Sequence, residues 1–326
     1  MRTLLFGLIL LSFGPFSIAY GQTQSFCAGI ARIEVQAATP FEALIWYPTQ
    51  ADEVSWQAGP VLVPATHDAQ PAAGNFPVVL LSHGGGLTGG SPLLLKELSA
   101  SLARQGFIVV APFHGTAGLF VRPFQVQLAL AAMLDTPRFA MHADPTRLGM
   151  VGFSLGGAVA LKLAGAIQDE AHFAEHCVAH PEDVMSCNNA PSGRRPGAPS
   201  PSPLTRERET PLPPHLALKA VVLLDPLAAL FPRDGLRAVT MPVLLIRPKQ
   251  SKLSGEGNAD TLALTLPVPP LYQKISGGHF VFADPCTPSQ KTASPEVCLD
   301  PSDVDRAAVH AGVESMVTKF LAEKLQ

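Results

Sequence analysis

Three residue types that together perform nucleophilic acyl transfer occur in a workable order along this chain: Ser154, then Asp225 or Glu256, then His279. A serine hydroxyl is a weak nucleophile until a base takes its proton. The base in turn needs a carboxylate to fix its tautomer, and the developing oxyanion needs N–H donors. The strongest of these signals is LGMVGFSLGGAVA, Leu148 to Ala160. An apolar run around Val151 leads through Gly152, Phe153, Ser154, Leu155 and Gly156 into small apolar residues, the strand, sharp turn and helix pattern of a G-x-S-x-G nucleophile elbow. Such a turn strains the serine backbone and excludes side chains at positions 152 and 156. It also aims the Leu155 N–H and a helix N-terminus at the negative charge that forms on a carbonyl oxygen.

The base is expected at His279, in Ile275-Ser276-Gly277-Gly278-His279-Phe280, after the last predicted strand. The acid has two candidates. PVLLI is followed by RPKQSKLSG, Arg247 to Gly255, which contains no carboxylate, and Glu256 and Asp260 come late. One strand earlier, KAVVLLDP puts Asp225 at the end of a buried run, where a carboxylate can hold the Nδ1 proton of His279. Asp225 ranks first and Glu256 second, and a helix N-cap role for Asp225 before Pro226 is compatible with either. For the oxyanion hole, LSHGGGLTGG (Leu81 to Gly90) follows the first buried parallel strand, and the amides of Gly85 and Leu155 are the expected donors. This chemistry needs no cofactor.

The elements that must carry these residues follow from hydrophobic pattern. Gly29 to Gln36 and Phe41 to Tyr47 read as an antiparallel hairpin at a sheet edge, and a turn-rich connection follows them. Val78 to Ser82, Phe107 to Ala111, Lys219 to Leu224 and Val243 to Ile246 are unbroken apolar runs suited to strands buried on both faces, with Leu271 to Ile275 as the last strand. Helices are expected over Ser91 to Gln105, with Ser91 as cap and Gly106 as stop, over Val126 to Leu134, after the elbow, and over Asp303 to Leu325. Strands alternating with helices give a doubly wound, mostly parallel sheet with helices on both faces. Residues 168–217 lose this pattern and read as a loop-rich excursion that includes SGRRPGAPSPSPLTRERETPLPP.

Composition sets the outer bounds. The chain has 326 residues, 47% hydrophobic and 15% charged, with a formal net charge of -3, which offers no basic excess for nucleic acid or anionic lipid. MRTLLFGLILLSFGPFSIAYGQ carries an early cation, an apolar stretch broken by Gly14 and Pro15, and small residues at Ala19 and Gly21. This predicts a cleaved secretory signal peptide at residues 1–21, a single domain over 22–326, and no integral membrane span after cleavage. In the periplasm or outside the cell, Cys177 with Cys187 and Cys286 with Cys298 are expected to form disulfides, leaving Cys27 free. His172, His176 and His180 recur every four residues and would share a helix face suited to a metal, but Pro181 and Cys187 favour a disulfide-closed loop with solvated histidines. His114 is expected at the pocket rim and His310 on the closing helix.

Several stretches carry a family resemblance: SHGGG at Ser82, QGFIVVAPFHG at Gln105, GFSLGG at Gly152, LLDP at Leu223, GGHFVFADPC at Gly277 and DRAAVH at Asp305. Together they resemble the α/β-hydrolase group that joins bacterial predicted dienelactone hydrolases with platelet-activating-factor acetylhydrolases. The resemblance spans most of the chain beyond the leader and implies the α/β-hydrolase fold and hydrolysis of a small-molecule or lipid ester. In the acetylhydrolase branch the acid follows the strand after the elbow helix, which corresponds to Asp225. The chain departs from many bacterial relatives, which carry an Asp in the loop occupied here by Lys249 to Lys252, and from dienelactone hydrolases in having serine instead of cysteine at the nucleophile. The expectation is an exported serine hydrolase of carboxylic esters. Its rivals are amidase or peptidase action by the same residues and a non-catalytic binding protein on the same scaffold.

Overall fold

The apolar runs become the inner strands of one nine-stranded sheet in a computed structural model that describes residues 26–85, 90–187 and 215–326. In chain order the strands are β1 (Cys27–Val35), β2 (Phe41–Thr49), β3 (Trp56–Ala58), β4 (Val61–Val63), β5 (Thr66–His67), β6 (Phe76–Ser82), β7 (Ile108–Pro112), β8 (Ala143–Phe153), β9 (Ala220–Leu224), β10 (Val243–Pro248) and β11 (Leu271–Ile275). The large sheet has the order β11-β10-β9-β8-β6-β7-β2-β1-β5, and β3 and β4 form a separate hairpin. From β7 to β11 the neighbours run parallel, whereas β2 is antiparallel to both β7 and β1.

Alternation along the strands divides the core into two layers. Val78 and Leu80 of β6 face one cluster, while Val79 and Leu81 face the other. The helices follow the same division: α1 (Lys96–Arg104) and α10 (Arg306–Leu325) cover one face, and α2 (Arg122–Asp135) and α4 (Leu155–Leu163) cover the other, with the short helices α3 (Pro137–Ala140), α7 (Ala259–Thr265), α8 (Pro288–Ala293) and α9 (Pro295–Cys298) between them in the chain. On α10 the buried residues Val313, Val317, Phe320, Leu321 and Leu325 recur at helical spacing, and Asp305 caps the helix by accepting from the Ala308 N–H at 3.1 Å. The Ser91 hydroxyl accepts from the Leu93 N–H at 3.1 Å and so starts the single 3-10 turn that leads into α1.

Some expectations need correction. The turn-rich connection after β2 contains the β3–β4 hairpin, whose three-residue strands are too short to show periodicity. The first part of the 168–217 excursion is helical: α5 (Glu170–Ala179) and α6 (Val184–Cys187) stand there. Asp169 caps α5 by accepting from the amides of Ala171 and His172 at 2.8 and 3.1 Å, although Phe173 and His176 are the helix's only buried residues. Residues 188–214 with the Pro-rich stretch, the leader at 1–21, and Gly86 to Gly89 lie outside the described residues. Cys177 is bonded to Cys187 and Cys286 to Cys298, as the spacing predicts, and Cys27 is free. Among the described residues no helix is long and apolar enough to cross a membrane.

Candidate active site

Ser154 sits between the end of β8 and the first turn of α4, with φ of 55° and ψ of -118°. A non-glycine residue takes that region only when its surroundings over-determine it. Here the packing does so. A Cβ on Gly152 would collide with the carbonyl of Gly156, and one on Gly156 would collide with the carbonyl of Ser82. β8, β6 and α4 therefore meet backbone to backbone under the serine. The Ser154 amide donates to the Leu224 carbonyl at 3.0 Å, and the Leu227 amide donates back to the Ser154 carbonyl at 2.9 Å.

His279 follows Gly277 (φ 108°) and opens a 3-10 turn, His279–Phe282. Its ring is buried beside that of Phe153, with centroids 5.0 Å apart, and meets Phe280 edge-on at 4.9 Å. Nε2 lies 3.0 Å from the Ser154 hydroxyl oxygen, and Nδ1 lies 2.6 Å from Oδ2 of Asp225. The second candidate acid is elsewhere: Glu256 is largely exposed, with its carboxylate 3.9 Å from Nε2 of His180. Asp225 is fully buried at φ 41°, and its amide donates to the Ile246 carbonyl at 2.8 Å. No helix follows it, so the N-cap alternative does not apply.

The loop after β6 approaches the serine closely. A Cβ built on Gly84 would lie 3.0 Å from the Ser154 Cβ, and the adjoining Gly85 has φ of 84°, a left-handed conformation favourable to glycine. Beneath this loop lies a buried polar network that sequence reasoning missed. Arg122, on α2, donates from Nη1 to the His83 carbonyl at 3.0 Å and from Nε to the Ala117 carbonyl at 2.7 Å. Burial pushes the Arg122 guanidinium down to about 10, so it remains charged at neutral pH. His83 is pushed down to about 3, chiefly by burial and further by the Arg122 charge, and burial likewise holds His114 well below the ordinary range. Both rings are therefore neutral. His114 does not stand at a rim. It is buried, accepts from the Ser82 hydroxyl through Nε2 at 2.9 Å and reaches Gln125 Oε1 through Nδ1 at 2.8 Å. The available sequence signal was a lone arginine entering an apolar helix just before Pro123.

In the histidine series that starts on α5, His176 and His180 pack together with ring centroids 4.7 Å apart, and each faces a carboxylate of its own. His176 is buried and its Nε2 lies 3.0 Å from Asp183 Oδ2, while Nδ1 of His180 lies 3.2 Å from Glu182. The expectation of solvated histidines is thus corrected for His176. Among the described residues no group of three or more His, Cys, Asp or Glu side chains is arranged to hold a metal. His310, on α10, meets the Val281 carbonyl at 2.8 Å through Nε2.

No family model and no curated protein matches the sequence. A solved structure does match the fold: a ferulic acid esterase from Streptomyces cinnamoneus, with a TM-score of 0.59 and 19% identity, covering 94% of this chain and 92% of that one. The chain has the α/β-hydrolase fold. In this fold the residues brought together lie at the carboxyl ends of β6, β8 and β9 and on the loop after β11. In open sheets of this kind, that edge is where the strands leave a crevice for ligands.

Proposed function

We propose that this chain is an exported serine hydrolase that cleaves carboxylic esters. The observation carrying the reading is the continuous path from Ser154 Oγ to His279 Nε2 at 3.0 Å and from His279 Nδ1 to Asp225 Oδ2 at 2.6 Å. In this reading Ser154 attacks the ester carbonyl while His279 takes its proton. The oxyanion is held by the amides of Leu155 and Gly85, the former at the N-terminus of α4. His279 then delivers the proton to the departing alkoxide, and a water activated by the same imidazole releases the acid. Asp225 keeps the Nδ1 proton facing the carboxylate and stabilises the imidazolium.

The ester class is favoured over amides by two likenesses, the ferulic acid esterase fold and the sequence resemblance to the acetylhydrolase group, whose acid position corresponds to Asp225. Export is supported by the leader-like residues 1–21 and by the two disulfides. The test is hydrolysis of short-chain p-nitrophenyl esters by the purified protein. Asp225→Asn is expected to lower kcat by about 10²- to 10⁴-fold, and Glu256→Gln to leave it within about twofold. Loss of activity in Glu256→Gln alone would reassign the acid.

A further inference from the structure

The loop after β10, where the sequence offers no carboxylate, reaches both members of the acid–base pair. The Ser251 hydroxyl donates to Asp225 Oδ2, the same oxygen that faces His279 Nδ1. Arg247, the fifth residue of β10, donates from Nη1 to Asp225 Oδ1 at 3.4 Å and to the Leu253 carbonyl at 2.9 Å. Gln250 holds the other partner: its side-chain Oε1 accepts from the Gly277 amide at 2.7 Å, and its own amide donates to the Gly277 carbonyl at 3.0 Å. Gly277 is two residues before His279.

We infer that Arg247, Gln250 and Ser251 form a positioning brace that fixes the Asp225 carboxylate against His279. The inference rests on the reading of Asp225 as the orienting acid. A fully buried carboxylate at φ 41° needs partners for its remaining lone pairs, or it rotates out of line with the imidazole. Arg247 supplies one at Oδ1, and Ser251 supplies another at Oδ2 beside His279. The two donors also draw negative charge from the carboxylate, so they limit how strongly Asp225 stabilises the protonated imidazole.

Other charges around the brace are few. Arg247 Nε faces Asp260 Oδ2 at 3.7 Å, and Asp260 is in turn held by Lys274 at 2.9 Å and by the Tyr272 hydroxyl at 2.6 Å. Lys249 and Lys252 on the same loop are exposed. Arg247 is thus shared between two carboxylates and is the only cation bonded to Asp225 among the described residues.

The experiment compares Ser251→Ala, Arg247→Met and Arg247→Lys with the wild type, recording kcat, KM and the pH dependence of kcat/KM on p-nitrophenyl acetate. Ser251→Ala is expected to lower kcat about tenfold with KM within about twofold, and to move the acid limb up by about half a pH unit. Arg247→Met is expected to move the limb further in the same direction, and Arg247→Lys to restore most of the wild-type profile because it keeps the charge. If Arg247→Met does not accumulate as folded protein, Ser251→Ala and Arg247→Lys decide the question. Acid limbs that superimpose on the wild type, with or without a fall in kcat, overturn the brace. Asp225→Asn is assayed alongside: wild-type activity there overturns the reading of Asp225 as the orienting acid, whereas its loss beside unaffected brace variants overturns the brace alone.

Discussion

The amide of Ser154 donates to the carbonyl of Leu224 at 3.0 Å, so the residue before Asp225 is tied to Ser154 by main chain alone. β8 and β9 end in register there, with Phe153 opposite Leu224. Parallel pairing sets the spacing of the proposed nucleophile and acid before any side-chain contact forms. Side-chain substitutions at Ser154 and Asp225 therefore leave this framework intact, and their effects report on chemistry.

The close packing under the elbow predicts that Gly156→Ala is strongly destabilising. The added methyl meets the backbone of Ser82 and His83, which cannot rotate away as a side chain would. Overpacking of that kind costs about 3 kcal/mol, or a fall in Tm of roughly 5 °C for a domain of this size. Gly312→Ala is the matched control. Nothing lies near its Cβ on α10, and replacing a helical glycine there is expected to stabilise by about 0.5–1 kcal/mol. Thermal unfolding of the two variants should give shifts of opposite sign.

Arg122 predicts a link between a buried charge and the loop that carries Gly85. Arg122→Met keeps the volume but leaves the carbonyls of His83 and Ala117 without their donor. A charged hydrogen bond lost in this way costs about 1.5–3 kcal/mol, and kcat for the ester is expected to fall with it because Gly84 and Gly85 lose their anchor. Arg122→Lys should rescue little, since one ammonium does not reproduce the fork that spans two carbonyls. Denaturant titration and steady-state kinetics check both effects.

Asp284 predicts a pH dependence of stability. Burial raises its carboxyl to about 7, against the opposing pull of Lys96 at 3.3 Å and of the Glu97 amide at 3.2 Å. A folded-state value above the unfolded one means that the unfolded chain releases this proton first. The favourable contribution is thus fully present below about pH 4, is lost as pH rises to about 7, and changes no further above that. The loss amounts to about 4 kcal/mol at most. Asp284→Asn removes this titration, so the stability of the wild type relative to the variant should decline between pH 4 and pH 7 and then level off. Urea denaturation at a series of pH values measures it, and a constant difference would refute it.

The apolar runs that became β6 to β10 were legible because strands buried on both faces admit almost no polar residue, and β11 was legible as the short run before the His279 turn. Ser154 and His279 were legible because glycine spacing in their turns is dictated by local sterics. α5 was not, because it buries only Phe173 and His176 and is held by the Asp169 cap and a disulfide. The partnership of Ser251 and Arg247 with Asp225 depends on the pairing of β9 with β10, which no local pattern encodes. His114 was misplaced for a related reason: its burial is made tolerable by Ser82 and Gln125, residues distant in sequence.

The central claim, that Ser154 is a nucleophile activated by His279, is tested most directly by a fluorophosphonate that forms a covalent adduct with the attacking oxygen. Intact-mass analysis should show a single addition to the wild type, peptide mapping should locate it on Ser154, and Ser154→Ala and His279→Ala should remain unlabelled over the same interval. Undiminished labelling of the folded Ser154→Ala protein, or an adduct mapped to another residue, would contradict the account.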